Sequence, residues 1–183
     1  MNHEKTTRLV TTAVLIALAT VLSMITILKL PLGGSITPLS MLPICLISVK
    51  YGIKWGTFSG FLYALLQLAL DLGAAMSWGL TAFSLTGCLI FDYLLAFTVL
   101  GFSGILRHKG VRGACIGIAA AIAMRYACHV ISGGIFLTQF KGFDNAWLWS
   151  LYYNGAFMLP ECILTTIGAY TLLRIPTTQK LLA

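Results

Sequence analysis

The 183-residue chain is 58% hydrophobic and only 9% charged, with a mean hydropathy of +0.92, where a soluble domain carries about 25% charged residues. This composition excludes an ordinary water-soluble domain and leaves an integral membrane protein. The formal charge of +7 would suit nucleic acid by sign alone, but the basic residues are scattered between apolar runs rather than gathered into a stripe, which excludes that partner.

Taken in order, the chain opens with Lys5 and Arg8 before an apolar run from Leu9 to Leu28. That run is too long for the hydrophobic region of a signal peptide, so it reads as the first span. Ala13 and Ala17 are four apart on it and share a face, the spacing of ordinary small-residue helix packing. Segment 30–38, with Gly33 and Gly34, reads as an outer loop. The next run, 36–50, is short and holds Pro38 and Pro43, which remove backbone donors and predict an irregular, partly re-entrant start. Further spans are expected at 53–71, 80–105, 113–137 and 150–173. Six spans of about 20 residues each leave only short loops, so 1–183 is expected to form a single membrane domain. Cys45, Cys88, Cys115, Cys128 and Cys162 each stand alone in an apolar run. Without CxxC or Cys/His spacing they read as packing residues, not as disulfide or metal ligands.

Orientation follows from the basic residues. Lys5, Arg8, Lys50, Lys54, Arg107, Lys109, Arg112, Arg174 and Lys180 fall on one side of the predicted spans, and Lys29 and Lys141 on the other. The positive-inside rule then places both termini in the cytoplasm and the loops near 30–36, 72–79 and 138–149 outside. A multi-pass protein of a prokaryotic cytoplasmic membrane is the expectation.

The stretch Arg125 to Glu161 is the exception to this oily pattern. It carries Arg125, His129, Asn154 and Glu161, the doublet Gly133-Gly134, and six aromatic residues between Phe140 and Tyr153. Charged groups at membrane depth are costly and mark a site or pathway. Arg125, His129 and Gly133 fall at i, i+4 and i+8, one helix face. With a 1.5 Å rise, Asp92 lies roughly 18 Å into the fourth span, at a depth similar to that of Arg125. Asp92 therefore reads as the partner of Arg125, as a ligand contact beside Tyr93, or both. The glycine pair reads as close helix packing or as space for a flat ring. Trp78, Trp147, Trp149, Tyr152 and Tyr153 have the positions of an interfacial belt, yet Trp149 and Asn154 lead directly into Glu161. Aromatic faces beside a carboxylate form a cage for an organic cation. The expected ligand is a flat, positively charged, hydrogen-bonding small molecule entering from outside.

Gly33-Gly34-Ser35, MLPI (41–44), FDYLLAF (91–97) with Gly101, RYACHVISGGIF (125–136) and WSLYYNGAFMLPE (149–161) occur in this order. The set, spanning Arg8 to Arg174, resembles the thiamine-specific S components (ThiT/YuaJ) of energy-coupling-factor (ECF) vitamin transporters. The resemblance implies an all-α, six-helix membrane bundle that captures thiamine outside and works with a transmembrane T component and two ATPases. It implies that Asp92 hydrogen-bonds the aminopyrimidine with Tyr93 beside it, that His129 and Gly133 form a pocket wall, and that Asn154 makes a polar contact. Gly34 belongs to the implied ligand site, and Arg125, Glu161 and Trp78 support it. Trp149 stands where relatives commonly carry a stacked tyrosine. Leu137 stands where they often have a tryptophan, the main departure. Ala13 and Ala17 match the motif that contacts the T component.

No cofactor or metal is expected. The chain has no G-x-x-x-x-G-K-[ST], so uptake must be energised by partners or by a gradient. An intramembrane enzyme lacks support from G-x-S-x-G or H-E-x-x-H. The alternative from another class is a self-sufficient, gradient-driven carrier, although internal repeats typical of such folds are not evident.

Overall fold

Helices account for nearly all of the described residues, 3–30, 33–136 and 145–178, in the computed structural model. Helix α1 (His3–Met24) ends where Ile25, Thr26 and Ile27 begin. Two of these three are β-branched isoleucines and the third is threonine, all stiff at χ1 and suited to extended backbone. The chain accordingly leaves the helix and forms β1 (Leu28–Lys29), which pairs antiparallel with β2 (Ser35–Ile36), Leu28 opposite Ile36. The first span therefore lies nearer the N-terminus than the expected 9–28, and the outer loop is a small hairpin.

The second helix, α2 (Leu42–Tyr51), is later and shorter than the expected 36–50. Pro43 sits in its first turn, where a missing N–H costs nothing, while Pro38 and Leu39, with φ 62°, keep the preceding residues out of the helix. Ten residues rise only about 15 Å, too little to cross a bilayer. The irregular start expected from the prolines is present. Gly52, at φ 89°, breaks the chain before α3 (Ile53–Met76). This helix runs past the expected end at 71, so Asp71 lies within it rather than at its mouth.

The next rod changes pitch three times. Helix α4 (Ala82–Cys88) is capped by Thr81, whose Oγ accepts from the Ser84 N–H at 3.2 Å. A π-helix (Leu89–Leu95), the short α5 (Ala96–Thr98) and a 3-10 segment (Val99–Lys109) follow. Gly110, at φ 70°, then reverses the chain into α6 (Gly110–Phe136). Helix α7 (Ala146–Arg174) is capped by Asn145, which accepts from the Trp147 N–H at 2.9 Å, and contains Pro160.

Among the described residues, four apolar helical stretches are long enough to span a membrane, His3–Met24, Ile53–Met76, Ala82–Phe136 and Ala146–Arg174, and the third folds back on itself at Gly110. Basic residues mark one end of the bundle. Arg8 lies 3.8 Å over the Trp55 ring, and Arg107 donates to the Lys50 carbonyl at 2.9 Å. At the opposite end, Trp78 meets Gly33 of the hairpin.

Ile44, Cys45, Ile47, Tyr63, Leu100, Ile118 and Ile122 are fully buried where α2, α3, α6 and the 3-10 segment converge. Backbones approach closely there. The Ser48 hydroxyl donates to the Gly101 carbonyl and accepts from the Gly104 N–H at 2.9 Å. A Cβ on Gly101 would fall on the Thr57 backbone, and backbone cannot swing aside as a flexible side chain can. Gly101→Val should therefore destabilise the protein by about 1–3 kcal/mol or prevent folding, read as a lowered melting temperature in detergent. Gly73, which has nothing within 4 Å of a Cβ, should accept alanine with unchanged or slightly raised stability.

Candidate functional site

A cavity of about 910 Å³ lies between α3, the π-helix, α6 and α7, beneath the hairpin. Its floor is built from α6. Arg125 Nε donates to His129 Nε2 at 3.2 Å, and His129 Nδ1 meets Asp92 Oδ1 at 2.8 Å. A guanidinium can only donate, so Nε2 is the acceptor; Nδ1 then carries the proton and donates to Asp92, and the imidazole is neutral. Ser132 donates to the other Asp92 oxygen at 2.5 Å. The direct Asp92–Arg125 pairing left open by the depth argument is thus replaced by a relay. Asp92 sits level with His129 and Ser132, one turn nearer the mouth than Arg125, whose guanidinium lies 4.1 Å over the Phe97 ring.

The π-helix matters here. Consecutive residues on an α-helix point about 100° apart, yet Asp92 and Tyr93 both line the cavity, and such wide turns recur at functional sites. While Asp92 reaches α6, the Tyr93 hydroxyl reaches α3 and donates to Asp71 at 3.4 Å.

Helix α7 supplies the aromatic wall. Trp149, Tyr153 and Phe157 follow one another at four-residue spacing: Trp149 stacks on Tyr153 with centroids 5.0 Å apart, and Tyr153 meets Phe157 at 5.9 Å. Only Tyr153 and Phe157 of these three line the cavity. Trp149 buttresses Tyr153 from behind. Asn154 lines the cavity while donating to the His129 carbonyl at 3.2 Å and the Ser150 carbonyl at 2.9 Å. Glu161 is 3% exposed; its Oε1 accepts from the Thr37 N–H at 2.5 Å and the Thr37 hydroxyl at 2.7 Å.

These bonds also hold the hairpin down. Gly34 N–H donates to the Tyr153 hydroxyl at 3.1 Å, and Thr37, just beyond β2, is fixed by Glu161. A side chain on Gly34 would collide with Tyr153 and Phe157.

Of the residues singled out from sequence, Asp92, Tyr93, His129, Asn154, Gly34, Arg125, Glu161 and Trp78 all line this cavity. Gly133 does not. Its missing side chain makes room for Ser150, so it serves the α6–α7 contact. Leu137 lies outside the described residues. Ala13 and Ala17 lie far from the cavity, exposed on α1, and line a separate apolar groove with Trp55, Phe58 and Leu62.

The span at 53–71 was expected, but its contribution to the site was not. Tyr63, Gln67 and Asp71 stand at i, i+4 and i+8, the spacing that singled out Arg125 and His129, and all three line the cavity. Gln67 donates to the Tyr63 hydroxyl at 2.5 Å. Taking Asp71 as the end of a span hid that stripe. Ser132, Thr37 and Ser40 were also missed, because nothing in their local sequence separates them from helix-compatible hydroxyls.

Three of the chain's five acidic residues, Asp71, Asp92 and Glu161, thus face one space walled by aromatic rings. Among the described residues, no group of three or more His, Cys, Asp or Glu is placed to hold a metal ion. Both His129 nitrogens are engaged. The arrangement is suited to holding a cationic, hydrogen-bonding ring rather than to activating a nucleophile.

Known proteins share this architecture. The profile of the family described as thiamine transporter protein (Thia_YuaJ) matches residues 9–181. The thiamine transporter ThiT of Bacillus subtilis (strain 168) is 34% identical over 91% of each chain. That of Lacticaseibacillus paracasei is 29% identical over 74% of this chain and 71% of its own. A solved structure of ThiT from Listeria monocytogenes superposes with a TM-score of 0.74 at 25% identity, covering 96% of this chain and 98% of that one. With a family profile that runs almost from end to end, the chain belongs to the Thia_YuaJ family of membrane thiamine transporter proteins.

Proposed function

We propose that this chain is the thiamine-binding S component of an ECF-type transporter, a multi-pass subunit of the bacterial cytoplasmic membrane with both termini inside. The observation that carries the reading is the cavity itself, three carboxylates against Arg125 and Lys29, enclosed by aromatic rings under a hairpin. Thiamine has a matching make-up, with an aminopyrimidine that donates hydrogen bonds and a permanently cationic thiazolium. In this reading Asp92, oriented by His129 and Ser132, accepts from the pyrimidine amine. Tyr93, Tyr153 and Phe157 flank the rings, Asn154 adds a polar contact, and Gly34 and Trp78 close the outer side. Arg125 acts from behind His129, keeping the imidazole neutral and oriented. The basic end of the bundle, with Arg8, Lys50 and Arg107, faces the cytoplasm, as the positive-inside rule requires.

Coupling to a T component and two ATPases is part of the same proposal. Ala13 and Ala17 are exposed along a groove of about 610 Å³ rather than packed inward. That placement favours a partner face over an internal seam, since small side chains permit close helix approach.

Asp92→Asn keeps an acceptor for His129 and removes only the charge, so the protein should remain folded. Thiamine binding by titration should weaken more than tenfold, above about 1.4 kcal/mol; unchanged affinity would reduce Asp92 to a structural partner of His129. Along the aromatic wall, Tyr153→Ala should cost thiamine affinity on the order of 1–3 kcal/mol. Trp149→Ala, one ring further back, should cost about 1 kcal/mol or less, and the reverse order would mean that Trp149 turns inward on binding. Replacing Ala13 and Ala17 together by tryptophan should leave vitamin binding intact and abolish ATP-dependent uptake in vesicles containing the T component and ATPases. Uptake in vesicles lacking the ATPases would instead establish a self-sufficient carrier.

A further inference from the structure

The three cavity carboxylates are not equivalent. Asp92 has both oxygens engaged, by His129 and Ser132, and Arg125 ends that chain through the imidazole. Glu161 is pinned through Oε1 to Thr37, and its Oε2 is buried away from solvent. Asp71 is exposed, and its only hydrogen bond among the described residues is the long one from Tyr93. No Lys or Arg nitrogen lies within ion-pair distance of it among the described residues; Lys29, on β1, lines the same cavity and acts on it from beyond that distance.

Its place along α3 gives this open charge a use. Asp71 lies five residues before Met76, about 8 Å along the helix axis. That end of α3 leads to Trp78, which meets Gly33 of the hairpin. Asp71 therefore stands toward the mouth, while Asp92 stands on the floor. In the reading proposed above, a ligand held at Asp92 by its aminopyrimidine would have its opposite end, the hydroxyethyl tail of the thiazolium, toward the hairpin and Asp71.

We propose that Asp71 sets the charge selectivity of the cavity, favouring the cationic vitamin and turning away a form whose tail carries a phosphate. The inference rests on the reading of this cavity as the thiamine site. A phosphate ester brings a charge of about −1.5 to −2 at pH 7. Beside a carboxylate in a partly solvated site, with an effective dielectric near 20, such a charge is repelled strongly enough to change affinity by an order of magnitude. Tyr93 holds the carboxylate in place without neutralising it.

The test titrates the purified full-length protein with thiamine and with thiamine monophosphate. Wild type should prefer thiamine, and the preference should narrow as salt is added. Asp71→Asn retains an acceptor for the Tyr93 hydroxyl and removes only the charge. It should weaken thiamine binding several-fold and cut the preference over the monophosphate by about tenfold. Asp71→Glu, which restores the charge, should restore the preference. A preference that survives in Asp71→Asn within twofold, or one that is lost equally in Asp71→Glu, would overturn the role of Asp71 while leaving the thiamine site standing. A wild-type protein that binds neither compound would overturn the site reading itself, and the inference with it.

Discussion

Placing negative charge inside an apolar bundle is the constraint on which the rest of this structure depends. Carboxylates and their partners cannot be left bare at membrane depth, because desolvation of an unpaired charge costs several kcal/mol. The chain meets this with a relay rather than a simple ion pair. Asp92 is held by His129 and Ser132, and His129 is held in one tautomer by Arg125. Because the guanidinium acts through the imidazole, Asp92 is held in a fixed direction without a cation seated directly upon it. The carboxylate is left pre-oriented toward the cavity, the usual requirement for tight recognition of a small polar ligand.

One face of α7 joins the cavity wall to the hairpin. Tyr153, Phe157 and Glu161 follow one another along α7 at four-residue intervals. Each has contacts on the hairpin side as well as on the cavity side: the Tyr153 hydroxyl takes the Gly34 N–H, Phe157 lies where a Gly34 side chain would be, and Glu161 takes Thr37. Pro160 lies within the helix beside Glu161, removing one backbone donor at the point where the carboxylate reaches out to the loop. The residues that form this cavity wall are thus the ones that hold the hairpin.

Irregular backbone is concentrated where it has work to do. The rod from 82 to 109 passes from α-helix to π-helix to 3-10 helix, and the π-turn carries Asp92 and Tyr93 to two different neighbours. Deeper along the same rod, Gly101 and Gly104 bring its backbone against Thr57 and Ser48. That contact ties the rod to α2 and α3 near the basic end of the molecule. A TM-score of 0.74 at only 25% identity fits a fold maintained by such backbone approaches, which demand small residues at a few places and tolerate many apolar side chains elsewhere.

Much of this protein was legible in its sequence. Composition alone required a membrane bundle, because so few charges cannot solvate a globular surface. The basic residues marked one end, and the i, i+4 spacing of Arg125 and His129 marked the floor of the cavity, since helical periodicity is local and survives any packing. What only the tertiary structure decided was which groups meet across elements. Asp92 pairs with His129 instead of Arg125 because a π-turn, invisible to a 3.6-residue period, sets its level. Trp149 stands behind Tyr153, and Gly133 beside Ser150, because the rotation of α7 against α6 depends on side-chain interlock along their whole length. The stripe of Tyr63, Gln67 and Asp71 was present in the sequence, but a charge near the end of an apolar run reads as the end of the span. Only the continuation of α3 to Met76, fixed by its packing against the neighbouring rod, turns that charge into part of the cavity wall.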